Sequence, residues 1–157
     1  MTIILENIRS AWNVGSVMRS CDALGFDLIL VGYTPCPVGH NLKLITKTAI
    51  GAQNTVKWSH YDHSQEVLDT YKDSVHLAIE ISNESHNIYD FLRSAKAKYV
   101  SSENIMVWFG NEIHGVSQLV CDQATAQLHL PMKGSKESLN VSSCMCTIGY
   151  LFEYAFE

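Results

Sequence analysis

The 157-residue sequence predicts a single α/β domain built on a mostly parallel sheet with helices covering both faces. Three observations predict it. Short apolar runs alternate with segments of helical period along the whole chain. The runs Phe26–Val31 and Ile105–Phe109 are almost continuously apolar, as strands buried on both faces must be. No linker, repeat or low-complexity stretch breaks the alternation.

Taken in order, Thr2–Leu5 reads as a short buried strand. A helix follows, with Asn13 as a candidate N-cap, Val14, Val17, Met18, Cys21 and Leu24 at helical spacing, and Gly25 as its stop. Phe26–Val31 is the second strand; Thr34–Asn41 is turn-rich and leads into a weakly patterned Lys/Thr region, then a short strand at Val56–Trp58. Ser64–Tyr71 forms a helix with Val67, Leu68 and Tyr71 inward, Val75–Ile81 a strand, and Asn87–Ser94 a helix. Ile105–Phe109 ends in a tight turn, Gly110-Asn111-Glu112, and Ser117–Ala124 is a short helix. Ala126–Leu130 is the last strand and Asn140–Phe156 the last helix. That helix is apolar on more than one face (Val141, Ile148, Tyr150, Leu151, Phe152, Tyr154), which points to an interface and hence a homodimer.

Composition narrows the function classes. Hydrophobic residues make up 46% and charged residues 17%, the balance of a globular chain. The start, Met1-Thr2-Ile3-Ile4-Leu5-Glu6-Asn7, has neither the basic region nor the apolar stretch of a secretory signal, and no uncharged apolar run reaches a membrane-spanning length. A cytoplasmic protein is expected. The five cysteines lack paired spacing and read as ordinary thiols, and His60-x-x-His63 has no supporting carboxylate or cysteine, so no metal is expected. The net charge of −5 argues against a general polyanion binder. Between Leu28 and Tyr61, however, no Asp or Glu occurs, while Lys43, Lys47 and Lys57 do, and this basic strip is a candidate RNA contact.

The usual nucleotide and hydrolase signatures are missing. No GxGxxG follows a strand, no glycine loop ends in GK[ST], and GxSxG and HExxH are absent. Yet Pro131–Asn140 is a loop of small and polar residues that ends at a helix N-terminus, a natural place to hold a ligand. In α/β sheets ligands gather beyond the carboxyl ends of the strands. Three such ends carry polar chemistry: Leu5 into Asn7 through Arg19, Phe109 into Glu112, and Leu130 into Pro131.

Three segments then stand out together: NVGSVMRSCDALGF from Asn13 to Phe26, VWFGNEIHGVS from Val107 to Ser117, and LPMKGSKESLNVS from Leu130 to Ser142. In this order and spacing the chain resembles the SpoU/TrmH-type RNA ribose 2′-O-methyltransferases of the SPOUT superfamily. The resemblance implies one methyltransferase domain over residues 1–157, without an appended RNA-binding domain, whose C-terminal part is threaded into a deep trefoil knot. That would be an exception to the general avoidance of threaded chains. It also implies a homodimer joined through the last helix, with S-adenosylmethionine as cofactor and RNA as substrate; a minimal enzyme that takes its RNA specificity from the dimer surface suits a small structured RNA such as tRNA better than rRNA.

By position, the resemblance assigns the cofactor pocket to Phe109, Gly110, Leu130, Met132, Ser138, Leu139 and Asn140. It assigns the catalytic group to Arg19, Asn13, Glu112, Ser138 and Asn140. A guanidinium is an awkward base because it holds its proton so firmly; Arg19 is better suited to orienting the nucleotide through a phosphate. Read singly, Asn13 and Asn140 are equally explained as helix caps, Arg19 as a surface arginine and Gly110 as a turn glycine. Ile113 and His114 stand where relatives often carry small residues, so the second loop is expected to differ in shape. The alternative reading is a non-catalytic knotted dimer that binds cofactor or RNA without turnover.

Overall fold

In the computed structural model, residues 1–99 and 104–156 are described, residues 95–99 and 156 by their backbone alone. Seven strands form one sheet in the order β3-β2-β1-β6-β4-β7-β5, and every pairing is parallel. The strands are β1 (Thr2–Glu6), β2 (Asp27–Val31), β3 (Trp58–Tyr61), β4 (Val75–Ile79), β5 (His86–Asn87), β6 (Ile105–Phe109) and β7 (Ala126–His129). The helices are α1 (Ala11–Leu24), α2 (Gly39–Ala49), α3 (Ser64–Thr70), α4 (Ile88–Tyr99), α5 (Gln118–Gln123) and α6 (Val141–Phe156).

The period-2 pattern of the strands creates two cores. Ile3, Leu5, Leu28, Leu30, Val107 and Phe109 face one side, where α1, α2, α4 and α6 cover them with Val14, Met18, Ile45, Leu92, Met145 and Phe152. Ile4, Ile29, Val31, Met106 and Trp108 face the other side, beneath Val67 and Leu68 of α3 and Val120 of α5. Both faces of the central strands are therefore dry, which is why β6 is buried at all five positions.

Helix α1 begins two residues before Asn13. Ser10 is its N-cap, and the Ser10 hydroxyl accepts from the Asn13 N–H at 3.3 Å. Asn13 is thus not a cap, and its carboxamide is left to bind other partners. Gly25 closes the helix with φ 68, a left-handed position that suits glycine. Gly15 lets α1 lie directly on α2, because a Cβ there would overlap the Thr48 hydroxyl and the Ile45 carbonyl oxygen.

Several boundaries differ from those the sequence predicts. The weakly patterned region proves to be α2; only Ile45 and Ala49 of that helix are buried, too few to print a helical period on the sequence. The third strand lies at Trp58–Tyr61, not Val56–Trp58, because Val56 belongs to the preceding turn and donates its N–H to the Ala52 carbonyl. Strand β5 is only two residues long and has no pattern of its own. The N-cap of α6 is Asn140 in hydrogen bonding, since its Oδ1 accepts from the N–H groups of Ser142 at 2.9 Å and Ser143 at 3.4 Å. Among the described residues, no helix is long and apolar enough to cross a membrane.

Candidate functional site

The carboxyl ends of β4, β6 and β7 open into a cleft of about 1090 Å³. Its walls come from Ile79 and Glu80, from the loop after β6, and from the loop 131–140 that leads into α6. All seven positions assigned to a cofactor pocket line this one cleft: Phe109, Gly110, Leu130, Met132, Ser138, Leu139 and Asn140. Phe109 and Leu130 are buried at its base, whereas Leu139 is 46% exposed on its rim.

The loop after β6 is folded against itself and against two neighbouring strands. Asn111 and Gly115 exchange backbone hydrogen bonds at 3.0 and 2.8 Å. The Asn111 carboxamide donates to the Asn7 carbonyl and to the Tyr33 hydroxyl, both at 2.8 Å, and its oxygen accepts from the N–H groups of Ile113 and His114. Gly110 must be small: a Cβ there would overlap the Gly115 carbonyl. From the other side, the Glu80 carboxylate accepts from the Val116 N–H at 2.8 Å. Beneath the loop lies buried Glu6, which accepts from the hydroxyls of Ser64 and Ser117 and from the Ser117 N–H, so one carboxylate holds the first turns of α3 and α5.

Glu112 joins this loop to α1. Its carboxylate accepts from the N–H groups of Arg9 at 2.9 Å and Ser10 at 3.2 Å and from Asn13 Nδ2 at 3.0 Å. Partial burial pushes its pKa up, but these donors, with its own N–H, outweigh burial and hold it below the ordinary value of 4.5. Asn13 Oδ1 in turn accepts from Asn140 Nδ2 at 3.1 Å. A chain Glu112–Asn13–Asn140 therefore runs along the edge of the cleft and binds three separate segments together.

The remaining assigned residues are placed differently. Ser138 lines the cleft, and its hydroxyl makes no hydrogen bond among the described residues. Arg19 does not line the cleft. It lies six residues beyond Asn13 in α1, about 9 Å along the axis and about 120° around it. Its side chain is exposed and makes no ion pair or hydrogen bond among the described residues. Lys43 and Lys47 are exposed on α2. Lys57 lies apart from them, ahead of β3 at the amino edge of the sheet, where it pairs with Asp27 at 3.4 Å.

Sequence reasoning passes over Glu80, Tyr33 and the structural roles of Asn7 and Asn111. Glu80 follows an apolar strand and Asn7 has φ 54, but only the fold shows what they touch. Among the described residues, no group of His, Cys, Asp and Glu is arranged to hold a metal ion.

Comparison with known proteins bears directly on this arrangement. Residues 1–150 match the profile of the SpoU rRNA Methylase family. A putative TrmH family tRNA/rRNA methyltransferase of Staphylococcus epidermidis is 27% identical over 143 residues, covering 89% of this chain and 53% of the relative. The Staphylococcus aureus counterpart is also 27% identical over 143 residues. The chain thus spans about half the length of the curated relatives it matches. Among solved structures, the SpoU methyltransferase AviRb from Streptomyces viridochromogenes, in complex with the cofactor AdoMet, superposes with TM-score 0.80 at 22% identity, over 96% of this chain and 58% of that one. A structure described for the 2-OH methylation of C/U34 on tRNA superposes with TM-score 0.81 at 19% identity, over 98% of this chain and 94% of that one.

Proposed function

The chain belongs to the SpoU rRNA Methylase family, and from that premise we propose that it transfers a methyl group from S-adenosylmethionine to a ribose 2′-hydroxyl of RNA. The observation that carries the proposal is the hydrogen-bonded chain Glu112–Asn13–Asn140 on the edge of a cleft of cofactor size. The cleft combines apolar walls for a nucleoside with charged side chains, among them Glu80, Lys136 and Glu137. Phe109, Leu130, Met132 and Leu139 supply apolar walls, and Gly110 lets the turn after β6 pack directly against Gly115 beside them. When bound there, S-adenosylmethionine supplies a methyl group already activated on a sulfonium sulfur.

The protein's own residues then have to hold and align the groups. Ser138, whose hydroxyl makes no hydrogen bond among the described residues, is the polar side chain of the 131–140 loop best placed to orient a ligand, while Asn140, held by Asn13 and the start of α6, fixes the edge beside it. Glu112 is a carboxylate with its acceptors committed to three donors, so it positions Asn13 and the 9–10 backbone and is not the base. Arg19, with its planar fork of N–H donors, orients the nucleotide through a phosphate. Because Arg19 is exposed and does not line its own cleft, it serves the cleft of a partner subunit in a homodimer.

Two features support that dimer. On α6, Ser143, Thr147, Tyr150 and Tyr154 share one outer face, with Tyr150 55% and Tyr154 80% exposed. On the neighbouring α1, Trp12 and Arg19 lie seven residues apart on the outer face, and Trp12 is 56% exposed. A trefoil knot belongs to the same proposal. It is supported by the path of residues 131–140, which leave β7 and reach Asn13 above β1 past the loops that follow β4 and β6. We further propose residues 1–157 as one methyltransferase domain. For the substrate, tRNA is favoured because the tRNA-related neighbour is matched over 94% of its own length.

The test is incubation with methyl-labelled S-adenosylmethionine and total tRNA or rRNA, followed by nucleoside mass spectrometry. A 2′-O-methylnucleoside that disappears in Arg19→Ala is the expected result. Mixing Arg19→Ala with Asn140→Ala subunits should restore transfer, since one site of the mixed dimer then has both residues intact. Cofactor binding without transfer to any RNA would instead establish the non-catalytic dimer.

A further inference from the structure

Resting on the proposed RNA-methylating function, we infer that Tyr33 is a stacking platform for an unpaired base of the RNA, next to the nucleotide that receives the methyl group. Tyr33 lies just beyond the carboxyl end of β2 and is 62% exposed. An exposed tyrosine usually points freely into water, but this one is held at both ends. Its N–H donates to Asn7 Oδ1 at 3.4 Å, and its hydroxyl accepts from Asn111 Nδ2 at 2.8 Å. The local backbone is shaped around this hold. Asn7 has φ 54, and the adjacent Gly32 has no Cβ, which would otherwise overlap the Asn7 carboxamide. The ring is therefore oriented in advance, and little rotamer freedom is lost when a flat ligand settles on it.

Location identifies that ligand. Asn111, which grips the hydroxyl, precedes Glu112, which grips Arg9, Ser10 and Asn13. The same turn thus sets both the ring and the edge of the cleft. Basic side chains lie on the neighbouring segments: the Arg9 side chain is exposed and unpaired among the described residues, and α2, which begins at Gly39 a few residues after Tyr33, carries exposed Lys43. A rigid aromatic face flanked by cations is how proteins hold unpaired bases with the backbone phosphates nearby.

A purely structural account is available, since the Tyr33 hydroxyl also satisfies one amide proton of buried Asn111. The two accounts separate by substitution. Tyr33→Phe keeps the ring and loses the hydroxyl, Tyr33→Leu loses both, and Tyr33→Trp keeps a ring. Each is compared with the native protein for affinity toward a short single-stranded oligoribonucleotide and total tRNA, for the KM and kcat of methyl transfer, for S-adenosylmethionine affinity and for melting temperature. Stacking predicts that Tyr33→Leu weakens RNA binding and raises the RNA KM roughly ten-fold, that Tyr33→Phe and Tyr33→Trp stay much closer to native, and that cofactor affinity holds in all three. The inference is overturned if Tyr33→Leu binds RNA as the native protein does, or if Tyr33→Phe loses as much as Tyr33→Leu. A native protein that neither binds nor methylates RNA would overturn the proposed function itself, and this inference with it.

Discussion

Asn140 donates its carboxamide N–H to the carboxamide oxygen of Asn13 at 3.1 Å, across 127 positions of sequence. Each asparagine also has a second partner. Asn140 Oδ1 caps α6, and Asn13 Nδ2 reaches Glu112. The start of the last helix, the first helix and the loop after β6 are thereby coupled through two amide groups with fixed donor and acceptor ends. An aspartate at either position would break the pattern, because it brings no N–H donor.

Removing either amide should therefore have the same consequence. Asn13→Ala and Asn140→Ala are each expected to cut methyl transfer about a hundred-fold by misplacing the cleft edge. Their stability effects should be non-additive, with a coupling of about 0.5–1 kcal/mol. A double-mutant cycle in urea, run beside transfer assays, measures both, and strict additivity would break the proposed coupling.

Glu112 gives the coupling a pH dependence. Its donors favour the carboxylate and hold its pKa below the ordinary 4.5 despite partial burial. A depressed folded pKa means the stabilisation is complete above the unfolded value and is lost as pH falls through the folded one. Native protein should therefore lose stability relative to Glu112→Gln as pH drops below about 4.5. Urea unfolding at a series of pH values follows the difference, which should be flat from about pH 6 upward.

Gly110 is the steric test of the cleft. A Cβ would overlap the Gly115 carbonyl and the Val116 nitrogen, both backbone, so the turn must open to admit it. Gly110→Ala should cost about 1–3 kcal/mol and weaken S-adenosylmethionine binding by at least roughly ten-fold. Calorimetric titration with melting curves separates the two effects. Native-like cofactor affinity would mean that this turn does not shape the pocket.

What is legible in the sequence and what is hidden there follow from the range of each interaction. Strands such as Ile105–Phe109 are legible because burial on both faces writes itself into consecutive residues. Helix α2 is not, since only Ile45 and Ala49 face the core and its other apolar side chains, Leu42 and Leu44, are exposed. Asn13 looks like a cap because it precedes an apolar helical run, while Ser10, which does the capping, is set back by one turn. The cleft positions from Phe109 to Asn140 come from motif resemblance rather than local physics. The partners of Asn111, Glu80 and Tyr33 depend on which strands lie side by side, and no local pattern encodes that.

Ile50 carries a backbone strain that can be relieved. It ends α2 with φ 49, a left-handed conformation poorly suited to a β-branched residue, and its side chain is 65% exposed. Replacing it loses little packing. Ile50→Gly should stabilise the protein by roughly 0.5–1 kcal/mol, the relief of the left-handed penalty less the chain entropy of glycine. A higher urea midpoint with an unchanged slope is the expected result, and a lower midpoint would show that the Ile50 side chain contributes packing that its exposure hides.

The lysines of the basic strip should separate by position. Lys43 and Lys47 project from α2, whose amino end follows the carboxyl edge of β2, whereas Lys57 is paired with Asp27 at the opposite edge of the sheet. If RNA enters at the carboxyl edge, neutralising Lys43 and Lys47 to Gln should reduce the salt dependence of RNA binding, by about one unit of slope for each phosphate left without its lysine. Lys57→Gln should leave the slope unchanged, because its nearest charge is the Asp27 carboxylate at 3.4 Å and not the cleft. RNA affinity measured across a salt series tests the three positions together. Equal reductions at Lys57 and Lys43 would place the RNA along the side of the domain, over α2 and the β3 edge, in place of the strand ends.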